Sequence, residues 1–287
     1  MYDVHGGNAR RGFAFAEFFP TVEREYPRFF EVGQHALDGM HNVTGRAYPN
    51  PEPHQRAIIN LSMLAGISFV EVITLVGNGL GHGAMRILRS LLETAINIEF
   101  LRQKPEAFED YKAWYHVERF REFEFLRQHV PDVFAMLNPQ AVAEAKRKMA
   151  RVRARFLMRD RNGKSKGLRS SWSALNLDAR AVATGFAESY RLINPLASSF
   201  VHETMYGMMR HFGANDPHRV EVPPTLRWSK EALSGAHHCM VGVVRTLSQT
   251  FGVAPEPTVG VLEREWQYAW TEPRQAQPEG QAQPERG

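Results

Sequence analysis

The sequence predicts an all-α protein, a multi-helix bundle followed by a disordered C-terminal tail. Two observations carry that expectation. Most segments of the 287-residue chain repeat their apolar residues at helical spacing, and none sustains the alternation of a half-buried strand. Proline clusters and glycine-containing turns separate the periodic segments at places where helices stop.

The elements follow in chain order. Pro27 to Met40 reads as a first helix with Phe29, Phe30, Ala36, Leu37 and Met40 turned inward. His41 to Pro53, with three prolines in its last five residues, is a linker. A second helix is expected from His54 to Val76, then a turn from Gly77 to Gly83, then a third helix from Ala84 to Gln103. Lys104-Pro105 ends it, because the residue before a proline avoids the helical region. The fourth, Pro105 to His129, is rich in aromatics, among them Tyr111, Trp114 and Phe123. Pro139 opens a fifth that reaches about Asp160, and the polar, glycine-containing stretch from Arg161 to Ser171 is expected as a mobile loop. Leu177 to Ile193 forms the next helix. Asn194-Pro195 resembles an N-cap followed by proline in the first helical position, starting a helix that reaches Phe212. Gly213 to Pro224 is a loop, Ser229 to Phe251 a long helix and Val259 to Trp270 a short one. From Thr271 onward two copies of Ala-Gln-Pro-Glu and the lack of any apolar cluster predict disorder. The expected organisation is an N-terminal helix and linker over 1–53, a bundle core over 54–270 and a tail over 271–287.

With 43% hydrophobic and 23% charged residues the composition is globular. Cys239, the single cysteine, cannot form an internal disulfide, so the fold needs no oxidising compartment. The apolar stretch Phe13 to Phe19 is interrupted by Glu17 and stopped by Pro20, unlike a secretion signal. Ala57 to Met85 is long enough to span a bilayer. Its far end is glycine-rich and Glu71 stands near its middle, where lipid penalises a lone carboxylate, so a buried core helix is the favoured reading. The expectation is a soluble, cytoplasmic protein without membrane association.

The net charge of +4 is unevenly placed. Lys146 to Arg169 holds 11 basic residues against Asp160, a net +10, leaving 24 basic and 30 acidic residues elsewhere. Met149, Val152 and Phe156 share one helical face, and Arg147, Arg151 and Arg155 stack on another. Arg159, Arg161, Lys164, Lys166 and Arg169 follow. Such a segment suits a polyanion, nucleic acid above all, with salt-sensitive and largely sequence-independent binding. A solvated basic face, or one docked on the acidic surface of a second subunit in a homodimer, is equally consistent.

The third helix is apolar around nearly its whole circumference, which predicts a central place in the bundle, yet it carries Arg86, Arg89 and Glu93 at spacings of three and four. Buried charges must be paired, and Glu71 is a natural partner. His202, sharing a helical side with Ser198, Met205 and Met209, is expected to face the core and join them. Arg89, Glu93 and His202 are thus the candidate catalytic residues, and Arg86 joins the anion-binding set. A structural ion-pair network is the alternative.

The run Ile87-Leu88-Arg89-Ser90-Leu91-Leu92-Glu93, with Ser198-Ser199-Phe200-Val201-His202 far downstream, resembles a family of bacterial helical proteins catalogued as domain of unknown function 5677, from about Gln55 to Phe212. The resemblance implies an all-helical bundle with Arg89, Glu93 and His202 as its characteristic polar residues. It supplies no activity. Helical nucleases of the HEPN type offer an analogy, but they need an arginine four to six residues before the histidine, and here Arg191 is the nearest one upstream of His202. Gly77 to Gly83 lacks both the Lys-Ser/Thr and the preceding strand of a phosphate loop, so close helix packing is favoured there over an anion cradle. Neither Glu31 with His35, nor His202 with His211, nor His237-His238 makes a convincing metal set, and no cofactor is implied. The leading functional expectation is a helical binding protein for an anionic partner. The alternative is a ribonuclease-like or phosphate-handling enzyme.

Overall fold

The computed structural model describes residues 18–46, 48, 50–159, 161–202 and 224–271. Expectations for Phe13 to Glu17, Asp160, Met205, Met209, His211, the loop from Gly213 and the tail beyond Thr271 lie outside the described residues. Among those described, the chain is helical except for one two-stranded antiparallel hairpin. The chain divides into two compact units. The first comprises Met1–Pro49, Ile59–Ala95 and Glu188–Gly287, the second Asn50–Ile58 and Ile96–Ala187.

The first unit contains α1 (Phe19–Glu25) and α2 (Pro27–Thr44), most of α3 (Pro53–Gly77) and the start of α4 (Gly81–Gln103). It also holds α9 (Ala187–Val201) from its second residue, α10 (Ser229–Phe251) and α11 (Val259–Thr271). Its centre is α10, which packs on α2 and α11. From Ala232 to Val244 every residue of α10 except His238 is buried. Small residues permit this: a Cβ on Gly235 would meet Leu88 at 2.7 Å. The glycine-rich turn between α3 and α4 likewise serves close packing. Thr225 donates its N–H to the Gly79 carbonyl at 3.0 Å. A Cβ on Gly81 would lie 2.2 Å from the Arg227 carbonyl oxygen.

Two expectations change here. α3 buries Ala65, Phe69, Val72 and Val76 but exposes Met63, Leu64, Ile67 and Val70 by 41 to 56%, so it is two-faced rather than fully buried. By length and composition it is apolar enough to cross a membrane, with a mean hydropathy of 1.9 in its most apolar window. The second change is that Asn194-Pro195 starts no helix. α9 runs through it, and burial of Ala197, Ser199 and Phe200 offsets the one backbone bond that proline removes. The break falls earlier, at Gly185 (φ +79°), a left-handed conformation that favours glycine.

In the second unit a 3₁₀ turn, Pro105–Ala107, leads into α5 (Phe108–His129), followed by α6 (Pro131–Ala135) and α7 (Pro139–Val152). Asn138 caps α7 by accepting the Gln140 N–H at 2.9 Å. α5 packs on α7, placing Trp114, Val117 and Phe123 in a core with Ala145, Met149 and Phe156. The fifth helix stops short of the expected Asp160. After Val152 a 3₁₀ turn (Arg153–Phe156) buries Phe156, and the chain enters β1 (Leu157–Arg159) and β2 (Ser165–Leu168). These strands pair Leu157 with Leu168 and Met158 with Gly167, with an irregularity between Met158 and Arg159. Ser165–Leu168, within the expected loop, is therefore strand. α8 (Leu177–Ala183) is capped by Asn176, which accepts the Ala179 N–H at 2.8 Å.

Candidate polyanion face and polar clusters

The second unit carries 19 basic and 12 acidic residues, a net +7, leaving −3 for the first. Three of its acids on α5 and α7 are matched by cations. Glu144 pairs with Lys148 at 2.7 Å and Glu124 with Arg127 at 2.8 Å. Asp110 holds Arg155 at 2.7 Å and reaches Arg169 at 3.8 Å. Arg169 is also built into the fold: it donates to the Arg155 carbonyl at 2.6 Å and lies over the Phe156 ring at 5.0 Å. Arg155 thus leaves the helical stripe expected with Arg147 and Arg151, because the chain has tightened into the 3₁₀ turn and Asp110 captures it.

The remaining cations face solvent. Lys146, Arg147, Arg151, Arg153, Arg161 and Lys166 are exposed, and among the described residues none forms a close ion pair, although Lys146 lies within electrostatic range of Glu124 and Arg147 of Glu144. Arg147 and Arg151 lie about 200° around α7 from buried Ala145 and Met149, respectively, two residues away at 100° each. Arg159 and Lys164 extend the charge along the hairpin, Arg159 donating to the Gly163 carbonyl at 3.0 Å. His116 on α5 registers the local field. Its pKa is lowered by burial first, then by Lys148, Arg119 and Lys112, with Glu144 opposing.

The other predicted cluster is not buried. Arg89 and Glu93 do pair, at 3.4 Å and without aligned hydrogen-bond geometry, but their side chains are 29% and 38% exposed. Arg86 and Glu71 are exposed as well. His202, expected to face the core, is exposed at the end of α9. The buried position is Phe200, packed between the rings of His82 and Trp228, and two residues of helix turn His202 about 200° away from it. A catalytic role for Arg89, Glu93 and His202 therefore lacks the dry, preorganised setting that strengthens electrostatic catalysis.

The buried charges lie elsewhere. Glu99, 8% exposed, accepts from Arg102 at 2.6 and 2.9 Å and from Gln103 at 2.7 Å. Arg180 on α8, 5% exposed, donates to the Asn97 side-chain oxygen and lies 5.0 Å from the Trp172 ring centre. Trp172 in turn meets the rings of Phe100 and Tyr111 edge-on. These contacts make a structural centre for the second unit. Glu99 stands between Ile98 and Phe100 in the same apolar helix that drew attention to Arg89, so the sequence did contain its signal. Arg180 had none beyond apolar neighbours. Among the described residues no three His, Cys, Asp or Glu side chains group as a metal site.

The described residues define a predominantly helical protein with one two-stranded hairpin. The chain matches the family of unknown function DUF5677 over residues 56–219, more than half its length, and belongs to that family. No curated protein and no solved structure matches it.

Proposed function

We propose that this protein binds a polyanion, nucleic acid being the expected partner, through α7 and the β1–β2 hairpin. The observation that carries the reading is the exposed set Lys146, Arg147, Arg151, Arg153, Arg161 and Lys166, which form no ion pair among the described residues while Asp110, Glu124 and Glu144 are paired with other cations. Guanidinium and ammonium groups on consecutive elements suit a phosphate backbone and release its counterions on binding. They carry no base-specific geometry, so the affinity is sequence-tolerant.

The test is fluorescence anisotropy with a labelled 20-nucleotide single strand and the matching duplex at low salt. The combined substitution Arg147→Ala, Arg151→Ala, Arg161→Ala and Lys166→Ala is expected to weaken binding at least tenfold and to flatten the salt slope by about 0.7–0.9 per lost contact. Thermal stability should change little, since exposed positions are involved. Arg155 and Arg169 are left intact because they hold Asp110. Undiminished affinity in the variant, or no binding by the native chain at low salt, would refute the reading.

A further inference from the structure

In the first unit, residues of α4, α9, α10 and α11 line a half-open cavity of about 390 Å³ that the basic face does not use. Its floor is apolar and fixed: Met85 and Leu88 are 1% and 0% exposed, and Gly235 lets Leu88 approach α10. Its walls are Ile193, Leu196 and the indoles of Trp266 and Trp270. Trp266 is locked by donating its ring N–H to the Ser234 carbonyl at 3.0 Å. Leu192, 75% exposed, and Trp270, 42% exposed, flank the opening.

The charged side chains that line this cavity are both acidic. Ser189 and His238 meet at 2.6 Å across α9 and α10. Burial, with Arg245 adding to it, lowers the pKa of His238 and keeps the imidazole neutral at pH 7. The serine oxygen retains acceptor capacity in either tautomer. Glu188 and Glu231 are exposed and also line the cavity. No lysine or arginine is among the lining residues. Lys230, outside the lining, has its ammonium 5.1 Å from the Trp270 ring centre, which shows how an ammonium sits against this indole.

Acceptors and negative charge at the opening, with an apolar, indole-walled interior, are complementary to one kind of small molecule. The geometry points to a binding site for an amphiphilic amine. Its ammonium lies toward Glu188, Glu231 and Ser189, and its aliphatic or aromatic body fills the space above Leu88. A body of roughly eight to twelve non-hydrogen atoms suits a cavity of this size. The site is independent of polyanion binding, which uses the other unit.

The experiment is isothermal titration calorimetry of the full chain with octylamine, octan-1-ol and octanoate, which share one apolar tail and differ in head group. Octylamine is expected to bind at least tenfold more tightly than octanol, and octanoate most weakly. The double variant Glu188→Gln, Glu231→Gln should erase the preference for the amine while leaving octanol binding unchanged. Trp270→Ala, at a partly exposed position, should weaken amine and alcohol alike without lowering the melting temperature. Three results would each overturn the proposal. These are no heat with any probe up to millimolar concentration, octanoate binding that equals octylamine and is lost in Trp270→Ala, and an amine preference that survives the double glutamine variant.

Discussion

His237 stands at the centre of α10, 1% exposed, stacked on the Phe29 ring and close to Phe69, and among the described residues neither of its ring nitrogens has a hydrogen-bond partner. Burial lowers its pKa to about 3, so the folded protein holds it neutral, while the unfolded chain protonates it below about 6.5. Between those values the unfolded state binds more protons, and stability therefore falls as pH falls. The slope approaches about 1.4 kcal/mol per pH unit. Urea midpoints measured from pH 7 to pH 5 should drop accordingly. Replacing His237 by Leu removes two unsatisfied polar atoms and is expected to gain about 1 kcal/mol at pH 7, and to flatten that acid dependence. Some slope will persist, because burial lowers the pKa of His238 too. A His237→Leu protein with the full native acid sensitivity would show that this imidazole is not the group responsible.

On α3, Phe69 is 0% and Leu64 55% exposed, although hydropathy treats both as core. Phe69→Ala should cost about 3–5 kcal/mol, whereas Leu64→Lys should stay within about 0.5 kcal/mol, and denaturant titration separates the two. A large loss at Leu64 would mean that this stripe is covered. At the start of α4, propensity alone favours alanine over glycine by about 1 kcal/mol. At Gly81 sterics reverse the sign: the new Cβ would lie 2.2 Å from the Arg227 backbone oxygen, which cannot swing aside as a side chain would. Gly81→Ala is expected to lower the melting temperature by several degrees, corresponding to more than about 2 kcal/mol. An unchanged melting temperature would remove the close-approach explanation for this turn.

Across the whole molecule, charge and apolar cavity are segregated, with +7 on the second unit and the amine-shaped pocket in the first. If about four exposed cations each touch a phosphate, affinity for single-stranded or duplex nucleic acid should fall roughly a hundredfold between 50 and 200 mM salt. A salt-independent affinity would exclude this surface as the binding face. Helical class was legible from period alone, and so were the ends of α10, because helical propensity and proline placement act within a few residues of the chain. The excess of positive charge was equally plain from composition. Which of those charges are free was not. Arg155 and Arg169 are consumed by Asp110, more than 40 residues earlier in the sequence, and the helix expected to reach Asp160 is cut at Val152 by the burial of Phe156. The sequence period located polar residues on helices, but rotation decided their setting: His202 turned outward because Phe200 took the inward position, and Arg180 turned inward onto Trp172. Local spacing determines which residues share a face. Only packing between distant segments determines which face is buried, since that depends on the apolar partners available in three dimensions.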